Sequence, residues 1–216
     1  MKNIIVINCD DLGLTVKTNK AIAKLFENKL ISSCTCLVNM DATLSAQKIA
    51  NKSNFTDKIG LHFNITEGHP LTNRIKLLPK ICDNEKFHGK FRSKSLKIFG
   101  INPVLVNKLS ANEIEIIKLE FNAQVDKFIK IFNVLPSHID SHHGVHHDPI
   151  LFYYICKWAR ERDVHSVRPQ FNLTKQSMLI KTVKNSMNTY AKIILSKQLD
   201  YFGSLEDFQD NILKKD

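Results

Sequence analysis

Five short strand-like segments, spaced by helical stripes, limit how this chain can fold. Asn3 to Asn8, a β-branched run, reads as a buried strand, and Ser33 to Val38, Lys58 to Ile65, Ser137 to Asp140 and Val164 to Val167 read as further short strands. Between them lie helix signals. Lys17 to Glu27 carries apolar residues at 21, 22, 25 and 26, one face of a helix. Asp41 is an expected N-cap for a helix running to about Ala50. Ser110-Ala111-Asn112-Glu113 has the form of a capping box, opening a long helix with apolar positions 114, 117, 121, 125, 128 and 132 that Pro136 closes. Pro149 stands at a first helical position for a helix to Arg162. Strand–helix alternation predicts right-handed crossovers and parallel pairing. The expected fold is α/β, a distorted and incomplete (β/α) barrel or barrel-like sheet. Past Val167, Leu173 to Leu199 reads as a basic helix and Leu205 to Ile212 as an acidic-aromatic piece. A complete barrel needs about 250 residues, so the chain reads as two or three strands short.

One domain over residues 1–216 is expected, with its alternation interrupted between 66 and 110. That Lys-rich stretch carries Pro70, Pro79, Gly89, Gly100 and Pro103 and is expected to be a lid. The net charge of +10 is spread along the chain with no block of like charge, which argues for a basic solvated surface and against nucleic acid. It leaves room for an anionic substrate such as a phosphorylated sugar. No apolar run suits a signal peptide or a membrane helix. The five cysteines lack zinc-ribbon or redox spacing; reduced thiols and a cytoplasmic location are expected.

Five of nine histidines fall within 138–147, in Ser137-His138-Ile139-Asp140-Ser141-His142-His143-Gly144-Val145-His146-His147. Imidazole and carboxylate are common ligands of divalent ions. Asn8-Cys9-Asp10-Asp11-Leu12-Gly13-Leu14 follows the first strand, and Gly60-Leu61-His62-Phe63-Asn64 ends the third. In a parallel α/β fold the carboxyl ends of all strands share one rim. Asp11, His62 and His142, distant in sequence, are therefore expected around one ion. Taken singly, each has a plainer explanation: an Asp-Asp turn, an interior histidine, a solvated loop.

These three segments resemble the signature motifs of the YdjC-like carbohydrate deacetylases, a family that includes the chitooligosaccharide deacetylases and is related to the polysaccharide deacetylases. The resemblance covers roughly Lys2 to Pro169. It implies a metal-dependent hydrolase that removes an N-acetyl group from an amino sugar or chitooligosaccharide. By that likeness Asp11, His62 and His142 match the metal ligands and Asp10 the general base. Arg168 matches a residue at the next strand end that pairs with Asp10, and His146 one that shapes the sugar pocket. Asp140 is expected to orient His142. The ion is divalent, magnesium or zinc, and the partner a small carbohydrate; a homodimer is compatible with the sequence. Two departures stand out. Gly144 replaces a histidine that members often carry, and no histidine follows His165, so the late His-Pro segment that supplies the acid has no counterpart. His143 or His146 is then the stand-in, or the chain is a truncated remnant that binds metal or sugar without turnover. One carboxylate and two histidines also suit a non-haem iron oxygenase.

Overall fold

A computed structural model of the protein describes residues 5–83, 85–89, 109–170 and 178–204. These group into two compact units, the first within 5–89 and 109–145, the second within 146–204. In the first, strands β1 (Asn8–Leu12), β2 (Ser33–Cys36), β3 (Ile59–Phe63) and β6 (Ile139–Ser141) form an open, wholly parallel sheet in the order β1-β2-β3-β6. Helix α1 (Val16–Glu27) links β1 to β2, α2 (Thr43–Lys52) links β2 to β3, and α3 (Ala111–Phe132) precedes β6. A two-stranded antiparallel hairpin, β4 (Cys82–Asp83) with β5 (Lys86–Phe87), lies between β3 and α3. The α/β class with a parallel sheet is as expected; no closed barrel occurs among the described residues.

Alternation along the strands divides the sheet. Cys34, Cys36, Leu61, Phe63 and Ile139 are fully buried. Phe63 meets Phe121 of α3 edge-on, at 5.3 Å between ring centres. Ile117, Val125 and Phe128 continue the same buried stripe of α3, which its 3.6-residue period predicts. Ser110 caps α3 as expected: its hydroxyl accepts from Glu113 N, and its own N–H donates to Glu113 Oε2 at 2.7 Å.

Two expectations shift. Asn3 and Ile4 lie outside the described residues; after them the first strand starts at Asn8, where polar–apolar alternation registers Asn8 with Ser33 and Cys9 with Cys34, and Ile5, Val6 and Ile7 are exposed. Asp41 does not cap α2. Thr43 Oγ1 binds the carbonyls of Leu37 and Met40, at 2.8 and 2.6 Å, and the helix begins there with Ala42 at its cap. Of the segment expected as a lid, residues 66–83, 85–89 and 109–110 are described and the remainder lies outside the described residues. Its first part is built into the core: Ile75 and Ile81 are fully buried, and the buried Glu120 carboxylate accepts from Leu71 N, Thr72 N and Thr72 Oγ1 at 2.7–3.2 Å.

In the second unit, α4 (Pro149–Glu161) packs on α5 (Met178–Ile194), with Tyr153 edge-on to Tyr190 at 4.7 Å. Pro149 opens α4 as predicted, and Asp148 Oδ1 caps it by accepting from Ile150 N and Leu151 N. The fifth strand expected at Val164–Val167 is reduced to a single bridge at Val167. Side-chain amides bind the backbone here as well. Gln198 binds both the N–H and the carbonyl of Val167, at 3.1 and 2.7 Å, and Asn188 does the same for Gln170, at 2.7 and 3.2 Å. The basic helix expected from Leu173 is seen as α5 from Met178, and the piece at 205–212 lies outside the described residues. No helix among the described residues is long and apolar enough to cross a membrane. All five cysteines are free thiols, four of them buried and Cys9 half-buried.

Glu120→Ala would leave two backbone N–H groups and a hydroxyl without their acceptor. A loss of about 2–4 kcal/mol in urea unfolding is expected. An unchanged midpoint would show that water replaces the carboxylate at no cost.

Candidate metal centre

The face of the sheet opposite Phe63 is polar. It carries Asn8 and Asp10 from β1, Ser33 and Thr35 from β2, His62 from β3 and Asp140 from β6. Parallel register sets His62 directly beside Asp140. His62 Nδ1 lies 2.5 Å from Asp140 Oδ1, and Thr35 Oγ1 donates to Asp140 Oδ2 at 3.0 Å. A carboxylate only accepts, so the Nδ1 of His62 carries the proton and its Nε2 points the other way. The expected partner of Asp140 was His142; the strand register gives it His62 instead.

Asp10 and Asp11 do not follow the first strand but lie within it. The pairing of β1 with β2 is irregular between Cys9 and Leu12, and Asp11 takes a left-handed φ of 68°. Such an irregularity re-aims a side chain, and the Asp11 carboxylate meets two imidazoles. Asp11 Oδ1 lies 3.2 Å from His62 Nε2 and 2.9 Å from His142 Nδ1, and those two nitrogens lie 3.3 Å apart. The three atoms form a triangle. Four-coordinate zinc with bonds of 2.0–2.1 Å sets its donors about 3.3 Å apart, and a six-coordinate ion of similar bond length sets neighbouring donors about 2.9 Å apart. The edges fall within this span, so the residues fit a divalent ion.

Electrostatics agree. Burial opposes charge on His62, but the carboxylates of Asp140 and Asp11 outweigh it and raise the imidazole to about 9. Burial would raise Asp11, yet hydrogen bonds from His142 and His62 hold it well below the usual carboxylate range. Without a metal, a proton on His62 holds the trio together, in the place where a cation fits.

A second group borders the triad. Asn64 Oδ1 accepts from Thr66 N and Glu67 N, at 2.9 and 3.1 Å, which shapes the turn after β3. Glu67 Oε1 then stands 3.6 Å from His142 Nε2 and 3.9 Å from His143 Nε2. The rings of His142 and His143 are 3.9 Å apart, and His143 Nδ1 lies 2.9 Å from Thr66 Oγ1. His143 and Gly144 both have left-handed backbones, with φ of 51° and 67°. Asn64 stands in the motif that holds His62, but no sequence pattern singles out Glu67; the hint is its short distance downstream of His62.

His146 and Arg168 belong to the second unit. His146 is buried, its ring 4.5 Å from that of His147, and Gln170 Nε2 donates to its carbonyl at 3.4 Å. The Arg168 guanidinium lies 5.0 Å above the Phe202 ring centre.

Comparison with known proteins gives this geometry a lineage. Over 160 residues the chain is 31% identical to the carbohydrate deacetylase of Clostridium beijerinckii, covering 74% of this chain and 58% of that one. It is 27% identical over 188 residues to the chitooligosaccharide deacetylase of Yersinia enterocolitica, covering 86% and 67%. With the chitooligosaccharide deacetylase of Escherichia fergusonii the identity is 30% over 164 residues, covering 76% and 58%. The chain thus spans between 58% and 67% of the length of these relatives. A crystal structure from Enterococcus faecalis V583, of a candidate cellobiose-phosphate cleavage protein, superposes with a TM-score of 0.66 at 22% identity, covering 95% of this chain and 72% of that one. The family model of the YdjC-like proteins matches residues 4–213, and with the three motifs meeting on one sheet face, this chain belongs to the YdjC-like family.

Proposed function

We propose that this chain holds one divalent ion on Asp11, His62 and His142 and hydrolyses the N-acetyl group of an amino sugar or short chitooligosaccharide, with Asp10 as the base. The triangle of Asp11 Oδ1, His62 Nε2 and His142 Nδ1 carries this reading. The names of the matched relatives support the substrate class. Two imidazoles and one carboxylate favour zinc over magnesium, which prefers oxygen donors. The net charge of +10 also suits a phosphorylated sugar.

When bound, such an ion supplies Lewis acidity at the acetamide. The chain's own residues do the rest. Asp140 holds the His62 ring and strengthens Nε2 as a donor. Asp10, next in sequence to Asp11, takes the proton of the attacking water. The leaving amine needs a proton in return, because an amide anion is a very poor leaving group. His143, bound at Nδ1 to Thr66 and facing Glu67 with Nε2, is the donor we assign. The roles given to Arg168 and His146 rest on the sequence likeness alone.

His142→Ala and Asp11→Ala should each abolish stoichiometric zinc uptake, measured by elemental analysis after dialysis. Asp10→Asn should keep the zinc and lower acetate release from N,N′-diacetylchitobiose about a hundred- to ten-thousand-fold. Release at the parent's rate would remove Asp10 from the mechanism. His143→Ala should cost about a hundredfold or more in the same assay.

Protons and metal compete for His62. Its pKa in the metal-free fold is raised to about 9, above its ordinary value. Its contribution to stability is therefore full below about pH 6.5 and lost as pH rises through about 9. Chelator-treated protein should lose denaturation midpoint between pH 6.5 and 9, while the stabilisation gained on adding zinc should grow over that range. A flat profile in His62→Gln would assign the effect to this ring.

A further inference from the structure

Asn8 sits where the polar face of the sheet converges, and its amide uses every hydrogen-bonding site it has. Nδ2 donates to Asp10 Oδ1 at 2.8 Å and to Thr35 Oγ1 at 3.4 Å. Oδ1 accepts from Ser33 Oγ at 2.6 Å and stands 3.1 Å from His138 Nε2. An amide offers two donors and two acceptor positions, so Asn8 is saturated.

The polarity of this chain of contacts follows from its ends. The Asp10 carboxylate only accepts, so the NH2 end of Asn8 must face it, and the carbonyl end must face Ser33 and His138. His138 must then carry its proton on Nε2. Its other nitrogen, Nδ1, lies 2.9 Å from Ser137 Oγ, which fixes the ring from behind. The ring reaches from the start of β6 over β3 to β1, and Gly60 makes the passage possible. A Cβ on Gly60 would stand 2.6 Å from the His138 carbonyl oxygen and 2.7 Å from the ring's Cε1. No side chain fits in that space without moving backbone.

We propose that Asn8, held by His138 and Ser33 across the notch at Gly60, is the positioning residue that aims the Asp10 carboxylate for proton transfer. This rests on the reading of Asp10 as the base. Asn8 touches neither the metal triad nor the acetamide by this account; it acts through Asp10. A fixed donor on one oxygen limits how a carboxylate can rotate, and Asn8 Nδ2 is such a donor to Asp10 Oδ1. Misplacing a reacting group by about 1 Å can cost about a hundredfold in rate. His138, counted with the ligand cluster by sequence, is thereby assigned to the base instead.

Two measurements on the full chain test this. In protein labelled with 15N-histidine at pH 8, His138 should show its proton on Nε2, and Asn8→Ala should shift that signal. A proton on Nδ1, or a signal indifferent to Asn8→Ala, overturns the proposal whether or not the chain turns over. With zinc and N,N′-diacetylchitobiose, Asn8→Ala and His138→Phe should lower kcat about ten- to a hundred-fold at nearly constant KM and unchanged zinc content. His138→Gln, whose amide can donate, should recover most of what His138→Phe loses. In an Asp10→Asn background, Asn8→Ala should add no further loss. If Asp10→Asn is inactive while Asn8→Ala and His138→Phe keep the parent's kcat, the positioning role fails and the base stands. If Asp10→Asn keeps the parent's rate, the base assignment fails and takes the positioning role with it.

Discussion

The bond between His62 and Asp140 organises the first unit's polar face. It joins residues 78 positions apart in sequence, and only parallel pairing of β3 with β6 in one register makes them neighbours. A slip of one residue between them would turn one of the two side chains to the opposite face. There it would meet the apolar side of the sheet. Burying an imidazole and a carboxylate together is costly unless each finds its hydrogen bonds. Thr35 supplies a further bond to Asp140, and Asp11 and His142 face the far nitrogen of His62. The register that fills the hydrophobic core with Leu61 and Phe63 is the one that sets His62 and Asp140 toward the centre.

This coupling explains why the sheet has two unlike faces. Ordinary parallel sheets are apolar on both sides. Here one side packs Phe63 on Phe121, while the other carries Asn8, Asp10, Thr35, His62 and Asp140 in a connected set of hydrogen bonds. Connection is what makes such a surface tolerable, since polar groups that satisfy one another avoid the penalty of lone burial. It also ties the triad to the residues beside it. Thr35 contacts Asp140, His62 and Asn8 at once. A change at the Asn8 end is therefore two hydrogen bonds away from the acid that orients His62.

Much of this was legible in the sequence where a local rule operates. The capping box at Ser110 and the proline at 149 mark helix starts through contacts within one turn. The stripe from 114 to 132 marks the core face of α3 through its period alone. The meeting of Asp11, His62 and His142 was legible because parallel strands deliver their ends to one rim. What escaped depends on partners remote in sequence. The apolar run before Asn8 reads as the strand, yet pairing with Ser33 and Cys34 selects the polar, alternating residues after it. Val164–Val167 has strand composition but forms a single bridge at Val167, where the Gln198 amide also binds the backbone. Glu67 carries no signal of its own, and Asn8 stands in the first motif with nothing to mark its contacts, because what they do is set by which groups the fold brings to them.

The amides of Gln198 and Asn188 have a wider meaning. Backbone N–H and C=O groups shut away from water carry a penalty unless they find partners. Val167 and Gln170 are fully buried, and Gln198 and Asn188 hold the N–H and the carbonyl of each. A primary amide offers both a donor and an acceptor, so one side chain satisfies both groups. The second unit thus closes two stretches of buried backbone with neutral side chains, and buries no charge to do so.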